Sequence, residues 1–206
     1  MNTRLGKDKP MRPYSWIAIM LLLLIAAPCS AAQSSATQMV ESRVQQLLKI
    51  VESQSPEQTK KNDIHQLVND LFDFNIMSRL ALSYHWKQIN DAQRSRFVDL
   101  YEQLLEATYM DRILAYKGEK VTFGSETPLG KDRVQVNSRV AAENGPIVVD
   151  YRLINENGQW KVYDLIIENV SLAQNYRSQF NSILQQGKSM DQVLEELQKK
   201  IQIKKQ

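Results

Sequence analysis

Cysteine is nearly absent from this sequence of 206 residues, which contains a single one, Cys29. That cysteine lies in the first 32 residues, which have the features of a removable leader. Without it the chain has no disulfide, no thiolate zinc site, no redox motif and no nucleophilic thiolate. Residues 33–206 must then be stabilised by an ordinary apolar core, which one domain of this length can supply.

Histidine is also scarce, with only His65 and His85 in the chain. Neither lies at the HExxH spacing typical of a zinc hydrolase, so we interpret both as surface or packing residues. The sequence also lacks the Gly-x-Ser-x-Gly, P-loop and GxGxxG motifs of common hydrolases and nucleotide-binding proteins. No motif therefore indicates a metal site or a catalytic centre.

The leader has a basic start, an apolar run over residues 16–27 and small residues that end at Ala32. This order predicts a cleaved signal peptide over residues 1–32 and export to the periplasm. The apolar run is too short for a comfortable membrane span. Cys29 leaves a lipoprotein anchor as an alternative, but Pro28 occupies a position where that motif has a small residue.

Charge gives no indication of a nucleic-acid partner. Residues 1–32 hold four of the 26 Lys and Arg and one of the 23 Asp and Glu, so 22 of each sign remain after cleavage. A formally neutral domain lacks the basic surface that nucleic acid requires. The lysines near the C-terminus predict a solvated, fraying tail.

Periodicity predicts helices first, then strands, then helices again. Apolar spacing and capping signals predict helices over about 40–51, 56–71 and 90–116 and helices that begin at Ser171 and Ser189, with Ser55 capping the second. Alternation predicts strands over about 120–125, 133–142, 147–154 and 160–167. The expected fold is α+β, with helices packed on one face of a curved four-stranded antiparallel sheet.

The last predicted strand changes its apolar face midway. Trp160 and Val162 share one face, whereas Leu165 and Ile167 share the other. Either a β-bulge near Asp164 or burial of both faces would account for this change.

The predicted helices and strands carry a large apolar surface. In the helix over residues 90–116, the apolar band is wider than packing against a single neighbouring helix would bury. It either fills a core or lines a cavity for an apolar ligand. Asp150 and Asp164, on adjacent strands, leave a small acid/base enzyme as a minor alternative. A position on the solvent-exposed face of the sheet, or an ion pair with Arg152, explains these two aspartates more simply. We therefore expect no enzymatic activity.

Several stretches of the sequence resemble a known family. They are residues 74–109, residues 114–118, and residues 150–180, with WKVYD at 160–164, NVSL at 169–172 and NYRSQF at 175–180. They resemble the MlaC family of periplasmic phospholipid-binding proteins, also described as toluene-tolerance proteins. One departure is Glu168-Asn169, where the family usually has Glu-Gly.

This resemblance implies one lipid-binding domain over residues 33–206, with an apolar cavity between sheet and helices. It implies a carrier that shuttles phospholipid between an outer-membrane lipoprotein complex and an inner-membrane ABC transporter complex. It implies bound phospholipid as cargo and no cofactor. A hopanoid or other apolar-lipid carrier of the same family remains an alternative.

The apolar pattern and the resemblance together nominate residues for lipid contact. We expect the acyl chains to contact Tyr101, Leu104, Leu105, Ile113, Val136, Val149, Tyr151, Trp160, Val162, Ile166, Tyr176 and Phe180. Arg94, near the start of the long helix, is the candidate for a head-group or partner contact, with a plain surface role as the alternative.

Overall fold

A computed structural model describes residues 35–143 and 145–204, so the predicted signal peptide lies outside the described residues. The helices are α1 (Ala36–Glu52), α2 (Glu57–Leu71), α3 (Phe74–Leu82), a 3₁₀ helix (Ser83–Lys87), α4 (Asp91–Leu114), α5 (Leu172–Gln185) and α6 (Met190–Lys204). The strands are β1 (Val121–Pro128), β2 (Arg133–Val140), β3 (Ile147–Glu156), β4 (Gln159–Ile167) and β5 (Val170–Ser171). Among these residues, no helix has the length and hydropathy to cross a bilayer.

The strands form one antiparallel sheet in chain order, from β1 to β5. This arrangement confirms the predicted α+β class and adds a fifth strand to the four expected. Strand β5 pairs with the end of β4 across a turn at Glu168 and Asn169, whose φ angles of 49° and 64° are left-handed. Two residues are too few to produce an alternation, so the sequence pattern does not reveal β5.

A β-bulge accounts for the change of face in β4. Tyr163 is an extra residue, because Asp164 and Val162 pair with consecutive residues of β3. Beyond the bulge, Leu165 packs in the same apolar cluster as Trp160 and Val162. The bulge therefore brings Leu165 and Ile167 to the face of Trp160 and Val162, which confirms the first of the two explanations.

The wide apolar band of α4 is buried by several helices at once. Phe97 and Tyr101 pack with residues of α3, α5 and α6 in one cluster. Their rings contact those of Tyr176 and Phe180, with centroid distances between 5.1 and 6.0 Å. Several neighbours explain why the band is wider than a single helix contact requires.

Helices α1 and α2 cover the inner face of the sheet. Ala36 and Val40 of α1, and Leu71 of α2, pack on the fully buried Val136 and Leu153 of β2 and β3. This layer agrees with the expectation that helices pack on one face of the sheet.

Most of the predicted helix starts are confirmed. Asn90 caps α4 through a capping box, and Ser189 makes the same pair of bonds before α6. The prediction for Ser55 is wrong, because Pro56 occupies the cap position and no side chain caps α2. Pro56 has an extended ψ of 145°, so the helix begins one residue later.

Candidate functional site

An apolar cavity of about 270 Å³ lies between the sheet and helices α1, α2 and α4. Its apolar walls are formed chiefly by Val44, Leu47, Ile64, Leu67, Val68, Leu71, Phe72, Phe74, Met77, Leu105, Tyr109, Met110, Ile113, Tyr151, Leu165, Ile167 and Leu172. A concave, largely apolar site with a few polar groups is the usual form of a small-molecule binding site.

Helical spacing explains two of these walls. The α2 wall consists of residues three and four apart on one face, namely Ile64, Leu67, Val68 and Leu71. The α4 wall repeats every fourth residue, at Leu105, Tyr109 and Ile113. The α2 stripe is visible in the sequence, but its pattern alone does not distinguish a cavity wall from a packed core.

The sheet supplies the third wall. The bulge at Tyr163 brings Leu165 and Ile167 to the cavity face, where Tyr151 of β3 pairs with Leu165. Burial raises the pKa of the Tyr151 and Tyr109 hydroxyls, because it disfavours the charged phenolate. Both tyrosines are therefore neutral at physiological pH, and this part of the wall carries no charge.

Polar side chains gather at one side of the cavity. Arg43 comes from α1, His65 and Asn69 from α2, and Glu102 and Glu106 from α4. The Nδ1 atom of His65 lies 3.4 Å from a carboxylate oxygen of Glu106 and 3.9 Å from one of Glu102. The His65 side chain is 44% exposed, so these groups form a polar rim where the cavity meets solvent.

Three of the residues nominated for lipid contact line the cavity. They are Leu105 and Ile113 of α4 and Tyr151 of β3. Val149 lies on the same face of β3 as Tyr151, half-buried, but does not line the cavity.

The other nominated residues lie elsewhere. Tyr101, Leu104, Tyr176 and Phe180 are buried in the helical cluster of α3 to α6. Val136, Trp160 and Val162 belong to the cluster beneath α1, and Ile166 alternates with Leu165 and so lies on the opposite face of β4. Seven of these eight residues pack in the two clusters. Leu104, Tyr176 and Phe180 also border a small recess of about 90 Å³ between α4, α5 and α6.

Arg94 is placed away from the cavity. Its Nη1 atom donates to Asp91 at 2.7 Å, and its Nε atom donates to the carbonyl oxygen of Trp86 at 3.1 Å. The guanidinium carbon also lies 5.8 Å from the centre of the Trp86 ring. Arg94 therefore fastens the 3₁₀ helix to the start of α4.

The two aspartates considered for acid/base chemistry are held by fixed partners. Asp164 is 2% exposed and accepts hydrogen bonds from Ser171 Oγ at 2.6 Å and from the Ala173 backbone at 3.0 Å. Arg152 lies 3.4 Å from the same carboxylate. Asp150 accepts from two amide side chains of β2. Neither aspartate lines the cavity.

Within residues 35–143 and 145–204, neither a metal site nor the second recess extends this site. No group of three or more His, Cys, Asp or Glu in these ranges is arranged to hold a metal ion. A second recess of about 440 Å³ lies beside Tyr84, but Gln174, Arg177 and Asn181 give it polar walls. It therefore offers little apolar surface to a ligand.

Comparisons with known proteins agree on one family. Residues 41–199 match the family described as MlaC protein. The chain is 29% identical over 97 residues to the intermembrane phospholipid transport system binding protein MlaC of Haemophilus influenzae, a match that spans 45% of each protein. It is 23% identical over 186 residues to the toluene tolerance protein ttg2D of Pseudomonas putida, covering 85% of this chain and 86% of that protein.

A solved structure shows the same fold. It is a phospholipid-binding protein from Ralstonia solanacearum in complex with a phospholipid, with a TM-score of 0.75 and 22% identity. The match covers 84% of this chain and all of that one. Since the family match extends over most of the sequence, the chain belongs to the MlaC family.

Proposed function

We propose that this chain is a periplasmic phospholipid carrier that holds acyl chains in the cavity between the sheet and α1, α2 and α4. It receives and delivers lipid at an outer-membrane lipoprotein complex and an inner-membrane ABC transporter complex. Residues 1–32 act as the cleaved signal peptide that exports it. Phospholipid is its cargo, and the proposal includes no cofactor and no catalytic step.

The observation that carries this proposal is the apolar cavity with a polar rim. Burying one methylene contributes about 0.8 kcal/mol, so two long acyl chains crossing water unprotected would cost on the order of tens of kcal/mol. A cavity lined by aliphatic and aromatic side chains replaces that water contact. Family membership supports the proposal, because the Haemophilus influenzae relative is named for phospholipid transport.

A transfer assay tests the proposal. Donor vesicles carry a self-quenched fluorescent phosphatidylethanolamine in phosphatidylglycerol, and acceptor vesicles lack the dye. We expect the purified protein to raise the rate of dequenching in proportion to its concentration. No acceleration above the spontaneous rate would contradict the proposal.

A charged side chain in the cavity provides the matched comparison. We expect Tyr151→Glu to abolish transfer while the protein stays folded, because a carboxylate in the wall repels acyl chains. Ile154→Glu places the same charge on the opposite face of β3, and we expect it to preserve transfer. If Tyr151→Glu unfolds the domain instead, that position belongs to a packed core rather than to a ligand cavity.

A further inference from the structure

We propose that lipid enters and leaves by separation of α2 from α4, and that His65 with Glu102 and Glu106 forms the latch across this opening. The inference rests on the proposed carrier function and adds to it a route and the residues that close it.

The helices on the two sides of the cavity pack on different neighbours. Helix α2 packs chiefly on α1 and β4, whereas α4 packs chiefly on α3 and α6. The cavity occupies the space between α2 and α4, and an apolar cluster of Val51, Ile64 and Met110 joins α1, α2 and α4 beside it. Helix α2 can therefore move away from α4 without disturbing the helical core around Tyr101.

The latch is the polar link across this gap. His65 reaches from α2 to two carboxylates one turn apart on α4, at 3.4 and 3.9 Å, and its Nε2 atom lies 3.2 Å from Asn69. The Glu102 and Glu106 side chains are only 22% and 27% exposed. Partly exposed pairs contribute little to global stability, so this link can break without unfolding the domain.

The size of the cavity requires such an opening. Pockets for drug-sized ligands measure about 300–1,000 Å³, and a phospholipid with two long chains is larger than those ligands. The cavity of about 270 Å³ is smaller than that, so loading two acyl chains requires the site to widen. Helices α2 and α4 pack on each other only weakly, mainly through the cluster of Ile64 and Met110, so their separation disrupts little packing.

Cross-linking the latch tests the inference. His65→Cys and Glu106→Cys are combined in the mature chain, which no longer contains Cys29, and are joined by a short bismaleimide. The probe is fluorescent phosphatidylethanolamine in phosphatidylglycerol vesicles. We expect the cross-linked protein to exchange lipid at least tenfold more slowly than the same variant before cross-linking. Equal rates would overturn the latch.

A control cross-link separates this effect from general stiffening. Lys188 and Glu196 form a surface ion pair of 2.6 Å outside the cavity, so cross-linked cysteines there should leave exchange unchanged. As a second measurement, Glu102→Gln with Glu106→Gln should speed exchange severalfold, and an unchanged rate would count against the latch. If the parent without the cross-link takes up no lipid, the proposed carrier function is wrong. If the cross-linked protein still exchanges lipid rapidly, the carrier function stands and only the latch is wrong.

Discussion

At the scale of single residues, Tyr101 is the most unusual group in the core. Its side chain is fully buried among Phe97, Tyr176 and Phe180, and its hydroxyl has no hydrogen-bond partner among the described residues. A buried hydroxyl without a partner loses its bonds to water and gains none in return. Its ring stabilises the helical core, whereas its hydroxyl destabilises it.

We predict that Tyr101→Phe stabilises the protein. The ring contacts remain and the unpaired hydroxyl is removed, so the free energy of unfolding should rise by about 1 kcal/mol. Urea denaturation followed by circular dichroism measures this change. Tyr84→Phe, at a 51% exposed position, is the control and should change stability little. A destabilised Tyr101→Phe protein would mean that the hydroxyl has a partner.

The same residue predicts a dependence on alkaline pH. Burial raises the pKa of Tyr101 far above its ordinary value near 10, so the folded protein keeps this proton after the unfolded chain has lost it. Stability is therefore full below about pH 10 and falls as pH rises further, by up to about 1.4 kcal/mol per pH unit from this group.

The measurement is denaturation of parent and Tyr101→Phe between about pH 8 and pH 11. Because the variant lacks this ionisation, its stability advantage should grow above about pH 10. An advantage that stays constant across the series would show that Tyr101 ionises equally in both states.

At the scale of elements, Asp164 ties the bulge of β4 to the start of α5. Ser171 caps α5, and both it and the backbone of Ala173 donate to the Asp164 carboxylate. A carboxylate at a helix N-terminus also interacts favourably with the helix dipole. One buried side chain therefore fixes the angle at which sheet and helix join.

We predict that Asp164→Ala costs about 3 kcal/mol, because it leaves donors unpaired in a buried position. Asp164→Asn keeps one acceptor oxygen and should cost about 1 kcal/mol. Glu195→Ala, at an exposed site of α6, should change stability by less than about 0.5 kcal/mol. Chemical denaturation ranks the three variants, and an undamaged Asp164→Ala protein would contradict this role.

The elements differ in how far the sequence predicts them. The sequence predicts the change of face in β4, because side chains of a strand alternate with a period of two and a bulge shifts that alternation by one residue. The turn at Glu168-Asn169 is harder to predict, because Glu168 has a left-handed φ that its residue type rarely adopts. Tertiary pairing with β4 imposes that conformation.

At the scale of the whole molecule, the sequence does not specify which part of an apolar surface packs in a core and which part lines the cavity. Helix α4 presents Tyr101 and Leu104 to other helices but Leu105 and Ile113 to the cavity. Adjacent positions in the sequence thus have different neighbours. Periodicity identifies the buried faces, and only the packing of α1 and α2 decides which face borders empty space.

We predict that Val68→Phe separates lipid binding from stability. Val68 lines the cavity and is half-buried, so a larger side chain occupies the space that acyl chains need. Transfer should fall at least tenfold while the free energy of unfolding stays within about 1 kcal/mol of the parent, since overpacking of a filled core costs about 1–3 kcal/mol.

A control of the same kind distinguishes a cavity from a core. Val136→Phe adds the same bulk within the filled cluster beneath α1, where Val136 is fully buried, and should destabilise the protein by about 1–3 kcal/mol. If Val68→Phe destabilises equally and leaves transfer intact, the space beside Val68 is not the lipid site.

The proposed carrier function depends above all on acyl chains being held in the cavity between α2, α4 and the sheet. Native mass spectrometry of the protein purified from the periplasm tests it directly, with Val68→Phe measured beside it. We expect a mass increment of one phospholipid on the parent, lost on organic extraction, and a reduced bound fraction for the variant. A parent that carries no lipid and takes none up after incubation with phospholipid vesicles would contradict the proposed carrier function.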